Sequence, residues 1–135
     1  AEQAYTWSGG KAIFAAGVQF PPVTVNGQDF MPGQANNFYI FPAVGMAIFA
    51  TQASRVPDDL FIEAARAVAD QVPDDLLQKG LLYPPQSDIL EIEIQTAAKV
   101  AGKVFDAGLA GVPHPDDLEA FIRSHVYQPA YPSLV

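Results

Sequence analysis

The sequence predicts a mainly helical chain, with four or five helices, one buried strand and one short hairpin. Three observations carry that expectation. Beyond Phe38, apolar residues recur at helical spacing in successive windows. The uninterrupted apolar run Ala12 to Ala16, "AIFAA", has the character of a strand covered on both faces. Between Val23–Val25 and Gln28–Phe30 sits Asn26-Gly27, the pair that most favours a type I′ hairpin turn.

Gly9, Gly10 and Gly17 bracket the apolar strand. A parallel-type strand needs backbone partners on both sides, and no other run shares its character, so either this run is not a strand or its sheet neighbours belong to residues outside this chain. After the hairpin, "PGQANNFYIFP" leads into Phe38 to Gln52, which has almost no polar face and as a helix would be enclosed on nearly all sides. Pro42 is tolerable there only close to the helix start. From Asp58 to Asp70, Phe61, Ala64, Ala65 and Val68 form an apolar face opposite Asp59, Glu63, Arg66 and Asp70. A short piece around Asp74 to Lys79 ends at Gly80, suited to a C-cap.

Tyr83-Pro84-Pro85 then forces an extended break, because a residue before proline avoids the helical region. In the longest helix, Glu91, Gln95, Lys99 and Lys103 make a polar row with acid first and base last, as the helix dipole prefers. Ile92, Thr96, Ala97, Val100, Ala101, Val104 and Phe105 form its buried arc. A last helix starts near Asp116, and "YQPAYPSLV" closes the chain.

At 135 residues with 50% hydrophobic and 16% charged content, the chain is globular and long enough for one domain with a sizeable core. Seven scattered Lys and Arg face fifteen Asp and Glu, a net charge of -8, which argues against nucleic acid as a partner. Without cysteine there is no disulfide framework and no thiolate metal site. No apolar run approaches the ~20 residues a bilayer span needs, so no membrane partner is expected. The opening "AEQAYTWSGG" does not read as a leader, and a start at Ala1 rather than Met is expected of a processed or excised piece.

Pro-Asp-Asp occurs three times, at Pro57, Pro73 and Pro115, each followed by Leu. Paired carboxylates can hold a divalent cation or divide acid and base roles. Helix capping explains them better, since proline presets the turn and aspartate opposes the positive helix end. Asp116 with Glu119, and Asp88 with Glu91, have capping-box spacing. His114 and His125 are too few and too far apart for a zinc site, and His125 is expected to be structural. Gln34, Asn36 and Asn37 leave two readings open. Either the asparagines only cap the following helix, or one caps while the other faces a polar ligand.

Four stretches, "AEQAYTWSGGKAIFAAGVQFPPV", "PGQANNFYIFPAVGMA", "LLYPP" and "HPDDLEAFIRSHVYQPAYPS", are similar in order and spacing to the C-terminal part of malic enzymes. The resemblance covers essentially the whole chain, with Gly-Gln-x-Asn-Asn-x-x-x-Phe-Pro as its most specific pattern. It implies an α/β, Rossmann-like parent, of which residues 1–135 are the end of the NAD(P)-binding domain plus a C-terminal helical segment. It also implies L-malate as substrate, NAD or NADP as cofactor, and a Mg or Mn ion held by parts of the parent outside this chain. In that family the paired asparagines line the substrate and nicotinamide pocket, so Asn37 is the first candidate for the malate contact and Asn36 the second.

The catalytic acid and base and the metal ligands belong to preceding sequence in that family, so the fragment alone is expected to be inactive. Where many members have Ser-Gly-Ser-Pro-Phe, this chain has Ala16-Gly17-Val18-Gln19-Phe20, so no polar cofactor contact is expected from Ala16 or Val18. The remainder of the parent chain, a homo-oligomer and a cytoplasmic location complete the expectation. A malolactic enzyme and a non-catalytic helical interaction module are the alternatives.

Overall fold

The computed structural model describes residues 1–130; the end of the proline-rich tail, residues 131–135, lies outside the described residues. The N-terminal part is organised by Tyr5. It is fully buried on α1 (Glu2–Trp7), stacks on Phe30 with ring centroids 4.5 Å apart, and leans on Phe14 at 6.2 Å. Phe30 belongs to the hairpin that the sequence predicts, with β2 (Val23–Val25) antiparallel to β3 (Gln28–Phe30), numbered here after β1 (Ala15–Ala16). Asn26 and Gly27 have φ of 53° and 79°, the left-handed pair a type I′ turn requires.

β1 pairs in parallel with β4 (Gly33–Gln34), with Ala15 opposite Gly33 and Ala16 opposite Gln34. The predicted strand needs correction in two respects. Its ladder is two residues long, and it is not buried on both faces: Ala15 and Ala16 are half-buried and Ile13 is 73% exposed. One of its edges, moreover, is served from within the chain. The partner escaped notice because Gly33-Gln34 carries no apolar periodicity. It fits through the absence of a side chain, since a Cβ on Gly33 would lie 3.4 Å from both the Ala15 Cβ and the Tyr83 ring.

A 3-10 turn at Asn37–Tyr39 leads into α2 (Phe41–Thr51), which starts three residues later than the apolar window does and holds Pro42 in its first turn. Enclosure on nearly all sides is overturned. Ala43, Val44, Ala47 and Ala50 are buried, whereas Phe41 and Phe49 are 59% and 72% exposed. A uniformly apolar helix does not reveal which face its neighbours take. Here the small residues face inward, where they allow close approach of backbones.

α3 (Asp59–Ala69) buries Leu60, Ala64, Ala67 and Val68, so the expected apolar face is rotated, and Phe61 and Ala65 remain exposed. α4 (Asp74–Leu77) closes as expected at Gly80, whose φ of 85° lets the Leu81 N–H reach the Leu76 carbonyl at 3.1 Å. α5 (Ile89–Asp106) follows a second 3-10 turn, Gln86–Asp88, and buries the expected arc from Ile92 to Val104, with Ile94 added and Phe105 only half-buried. α6 (Leu118–His125) inserts Ile122.

α2, α3 and α6 all pack on α5 around a main cluster dominated by alanine and valine, while Val68 and Ile92 join Tyr39 in a smaller second one. The side-chain amide of Gln71 donates to Ala67 O at 2.9 Å and to the buried Thr96 hydroxyl at 3.0 Å, fastening the end of α3 to α5. The end of α2 is held by the segment after α5: Gly111 N–H donates to Thr51 O, and Ser54 N–H to Leu109 O, both at 2.9 Å. No helix among the described residues is long and apolar enough to cross a membrane.

Two measurements check this packing. A Cβ at Gly111 would meet the Gln52 carbonyl oxygen at 2.9 Å, so Gly111→Ala is expected to destabilise the fold by about 1–3 kcal/mol. An unchanged denaturant midpoint would contradict the close approach. On the surface, the Arg123 guanidinium donates to Glu91 on α5 and to Glu119 at 2.7 Å, and its hydrogen bond holds the Glu91 carboxyl below its usual range. A depressed carboxylate stabilises the fold above its unfolded pKa, and that contribution is lost as pH falls through its folded pKa. The difference in Tm between the parent and Arg123→Met should therefore shrink from about pH 7 to about pH 3. A constant difference across that range would contradict the linkage.

Candidate functional site

Because β1 and β4 are parallel, both strands deliver the chain to the same end: β1 into Gly17 to Phe20, β4 into Ala35-Asn36-Asn37. Ligands of open α/β sheets gather outside the carboxyl ends of such strands. Ala35 N–H donates to Ala16 O at 2.8 Å, the last rung before the two chains separate.

Asn36 is extended, with φ -129° and ψ 137°, as an N-cap residue should be. Its side-chain oxygen accepts from the Phe38 N–H at 3.1 Å, and its main-chain oxygen from Tyr39 N–H at 3.3 Å. Asn36 thus starts the 3-10 turn that carries the chain into α2. The next residue behaves differently. Asn37 is exposed, its main-chain oxygen accepts from Ile40 N–H at 3.0 Å, and among the described residues its side-chain amide makes no hydrogen bond. The structure therefore separates two amides that the sequence left equivalent.

The turn is braced on both sides. Tyr39 is buried between Phe38 and Tyr83, with ring centroids at 4.5 and 5.3 Å, and its hydroxyl donates to Pro84 O at 2.6 Å. Burial, reinforced by Tyr83, pushes the Tyr39 phenol above its ordinary range, which keeps it a donor. Gln34 donates to Gly17 O at 3.3 Å and accepts from the Gln86 amide. Behind the turn lies a cavity of about 160 Å³ lined by Gln19, Met31, Gln34, Tyr39 and Gln86 among others, but by neither asparagine. Sequence reasoning did not single out Tyr39 or Gln86. Their signal was the break at Tyr83-Pro84-Pro85, whose carbonyls cannot be satisfied by helix and must find donors elsewhere.

The acidic pairs cap helices less often than expected. Asp117, not Asp116, is the N-cap of α6, accepting from Ala120 N–H at 3.0 Å, so the Asp116–Glu119 box does not form. Asp58 and Asp88 occupy N-cap positions without a side-chain hydrogen bond, because φ/ψ of -59°/-28° and -107°/16° are not the extended geometry that aims a cap inward. Pro73 precedes α4, leaving Asp74 and Asp75 to act on its first turn through charge alone. No group of three or more His, Asp or Glu comes together among the described residues. His125 is exposed at the end of α6, its Nδ1 2.9 Å from Phe121 O and its ring on the edge of Phe121.

Replacing the capping amide and the free one should give different results. Asn36→Ala is expected to cost about 1 kcal/mol of stability, and Tyr39→Phe about 1–2 kcal/mol, by orphaning the Pro84 carbonyl. Asn37→Ala should stay within about 0.5 kcal/mol. Equal losses at Asn36 and Asn37 in denaturant unfolding would contradict the separation of roles.

Among known proteins, the family model described as malic enzyme, NAD binding domain, matches residues 1–105. The NADP-dependent malic enzyme of Populus trichocarpa is 48% identical over 132 residues, covering 97% of this chain and 22% of that protein. The chloroplastic NADP-dependent malic enzyme of Flaveria trinervia is 48% identical over 132 residues, 97% of this chain and 20% of that protein. The corresponding Zea mays enzyme is 46% identical over 132 residues, 97% of this chain and 21% of that protein. The chain thus spans about a fifth of the length of the curated relatives it matches. The expected cytoplasmic location is overturned, since the Flaveria and Zea relatives are named chloroplastic. The resemblance read from Gly33 to Pro42 and the flanking stretches is borne out, and the chain belongs to the malic enzyme family, by its NAD-binding domain.

Proposed function

We propose that residues 1–135 form the end of the NAD(P)-binding domain of a malic enzyme together with its C-terminal helical segment. The parent is then a Rossmann-like oxidoreductase that converts L-malate to pyruvate and carbon dioxide with reduction of NAD(P). NADP is favoured by the names of the relatives. The observation that carries the reading is the unengaged amide of Asn37, displayed beside the capped Asn36 at the carboxyl end of a parallel pair.

A neutral carboxamide suits this place. Malate carries two carboxylates, and the Asn37 amide can donate to one of them without adding a charge that would need its own partner. The same group can pair with the carboxamide of a nicotinamide ring, so the donor set fits either ligand. The nicotinamide, when bound, accepts the hydride from C2 of malate. Asn36 contributes indirectly, since its cap fixes the backbone from which Asn37 projects.

The described residues do not fit a divalent metal, as no three carboxylates or imidazoles converge. On this reading Mg or Mn, the catalytic acid and the catalytic base belong to the rest of the parent, and this chain alone is inactive. The exposed Phe41, Phe49 and Phe61 support burial against the remainder of the parent or in a homo-oligomer.

The test is Asn37→Ala in the full-length enzyme. Losing a hydrogen bond to a charged carboxylate is expected to lower kcat/KM for malate about ten- to a hundredfold, with the Kd for cofactor nearly unchanged. Unaltered kcat/KM would remove Asn37 from the site.

A further inference from the structure

The geometry points to Gln34 as a positioning residue: its side-chain amide ties the loop after β1 to the turn bearing Asn36 and Asn37, fixing the spacing of the two strand ends that form the site. This inference rests on the function proposed above.

Three hydrogen bonds define the arrangement. Gln34 Nε2 donates to the carbonyl of Gly17, the first residue past β1, at 3.3 Å. Gln34 Oε1 accepts from Nε2 of Gln86, at the start of the 3-10 turn before α5. The Tyr39 hydroxyl donates to Pro84 in the same stretch at 2.6 Å. So Gln34, two residues before Asn36, and Tyr39, two after Asn37, both reach the segment Tyr83 to Gln86, which runs directly into the central helix. The asparagine turn is thereby held from both shoulders to the most firmly packed element.

Gln34 extends that hold to the loop after β1. Among the described residues, no other side-chain hydrogen bond reaches residues 17–20 from outside that segment. Phe20 packs edge-on against Phe14 at 5.5 Å and anchors the far end of the loop, whereas Gly17 is exposed and Val18 is 62% exposed, so packing does little to place its first residues. The β1–β4 ladder is two residues long and ends at Ala16 and Gln34. Past the last main-chain rung, from Ala35 N–H to Ala16 O, the Gln34 amide is the side-chain hydrogen bond that ties the loop at Gly17 to the asparagine turn. The chemistry is specific as well: a residue here must donate to a carbonyl on one side and accept from an amide on the other, which a carboxamide does and neither a carboxylate nor an alkyl chain can.

A displacement of about 1 Å between reacting groups can cost up to about a hundredfold in rate, so a loosened mouth should appear in turnover. In the full-length enzyme, Gln34→Leu is expected to lower kcat for malate oxidation about tenfold or more, with little change in KM and with Tm nearly preserved. Gln34→Glu, which keeps the length but loses the donor to Gly17, should fall with it. Gln86→Leu, at an exposed position, should reduce kcat less, and adding it to Gln34→Leu should give no further loss. If Gln34→Leu fails to fold, Gln34→Glu and Gln86→Leu carry the test with the same readouts. Unchanged kcat in the folded variants overturns the inference, as does a fall in Tm with kcat per folded enzyme intact, the mark of a purely structural residue. If Asn37→Ala impairs malate turnover while these variants do not, the positioning role fails and the proposed function stands. Absence of malate turnover in the unsubstituted full-length protein would overturn both.

Discussion

The turn between β4 and α2 depends on one hydrogen bond, from the Phe38 N–H to the side-chain oxygen of Asn36. A chain leaving a strand and entering a helical turn exposes N–H groups that no helical carbonyl can reach, and Asn36 answers one of them, that of Phe38. In doing so it fixes φ and ψ at the point where the path bends, and with them the direction in which Asn37 projects. Two neighbouring residues of identical chemistry thus take opposite roles. One is consumed by backbone geometry, and the other is left with donors and an acceptor facing outward.

That turn is positioned by a helical platform built from small residues. Ala43, Ala47 and Ala50 on α2, Ala64 on α3, and Ala97 and Ala101 on α5 belong to one buried cluster, and such side chains hold helices close with few internal degrees of freedom. The Gln71–Thr96 contact adds a polar fastening in which the buried hydroxyl is satisfied. Through Tyr83 to Gln86, the rigidity of α5 is passed to Tyr39 and Gln34 on either side of the asparagines. A site mounted on the entry to a packed helix keeps its geometry better than one on a free loop. The sheet, by contrast, is slight: two parallel rungs and a small hairpin, with aromatic contacts among Tyr5, Phe14 and Phe30 beneath them.

How much was legible in the sequence follows from which forces were local. The hairpin could be read because Asn26-Gly27 sets its own turn, and α5 because its eighteen residues show both a polar row and a buried arc. Gly80 announced a helix end for the same reason. β4 could not be read, since Gly33 qualifies for its place by what it lacks and is defined by a partner far away in sequence. The faces of α2 and α3 were misjudged because apolarity says that burial is possible, not where neighbours lie. At the candidate site, residue types singled out Gln34, Asn36 and Asn37, but only the folded backbone could separate Asn36 from Asn37. The aspartates show the same limit: Asp58, Asp88 and Asp117 all stand at N-cap positions, and only Asp117 has the extended backbone that capping demands.

The division of roles between adjacent amides is tested most directly by a structure of the full-length enzyme with malate and nicotinamide cofactor bound. The expected result is the Asn37 amide nitrogen about 3 Å from a malate carboxylate oxygen, with the Asn36 side chain still accepting from Phe38 N–H. A bound malate that leaves Asn37 facing solvent, or that draws Asn36 off its cap to make the contact, would contradict it.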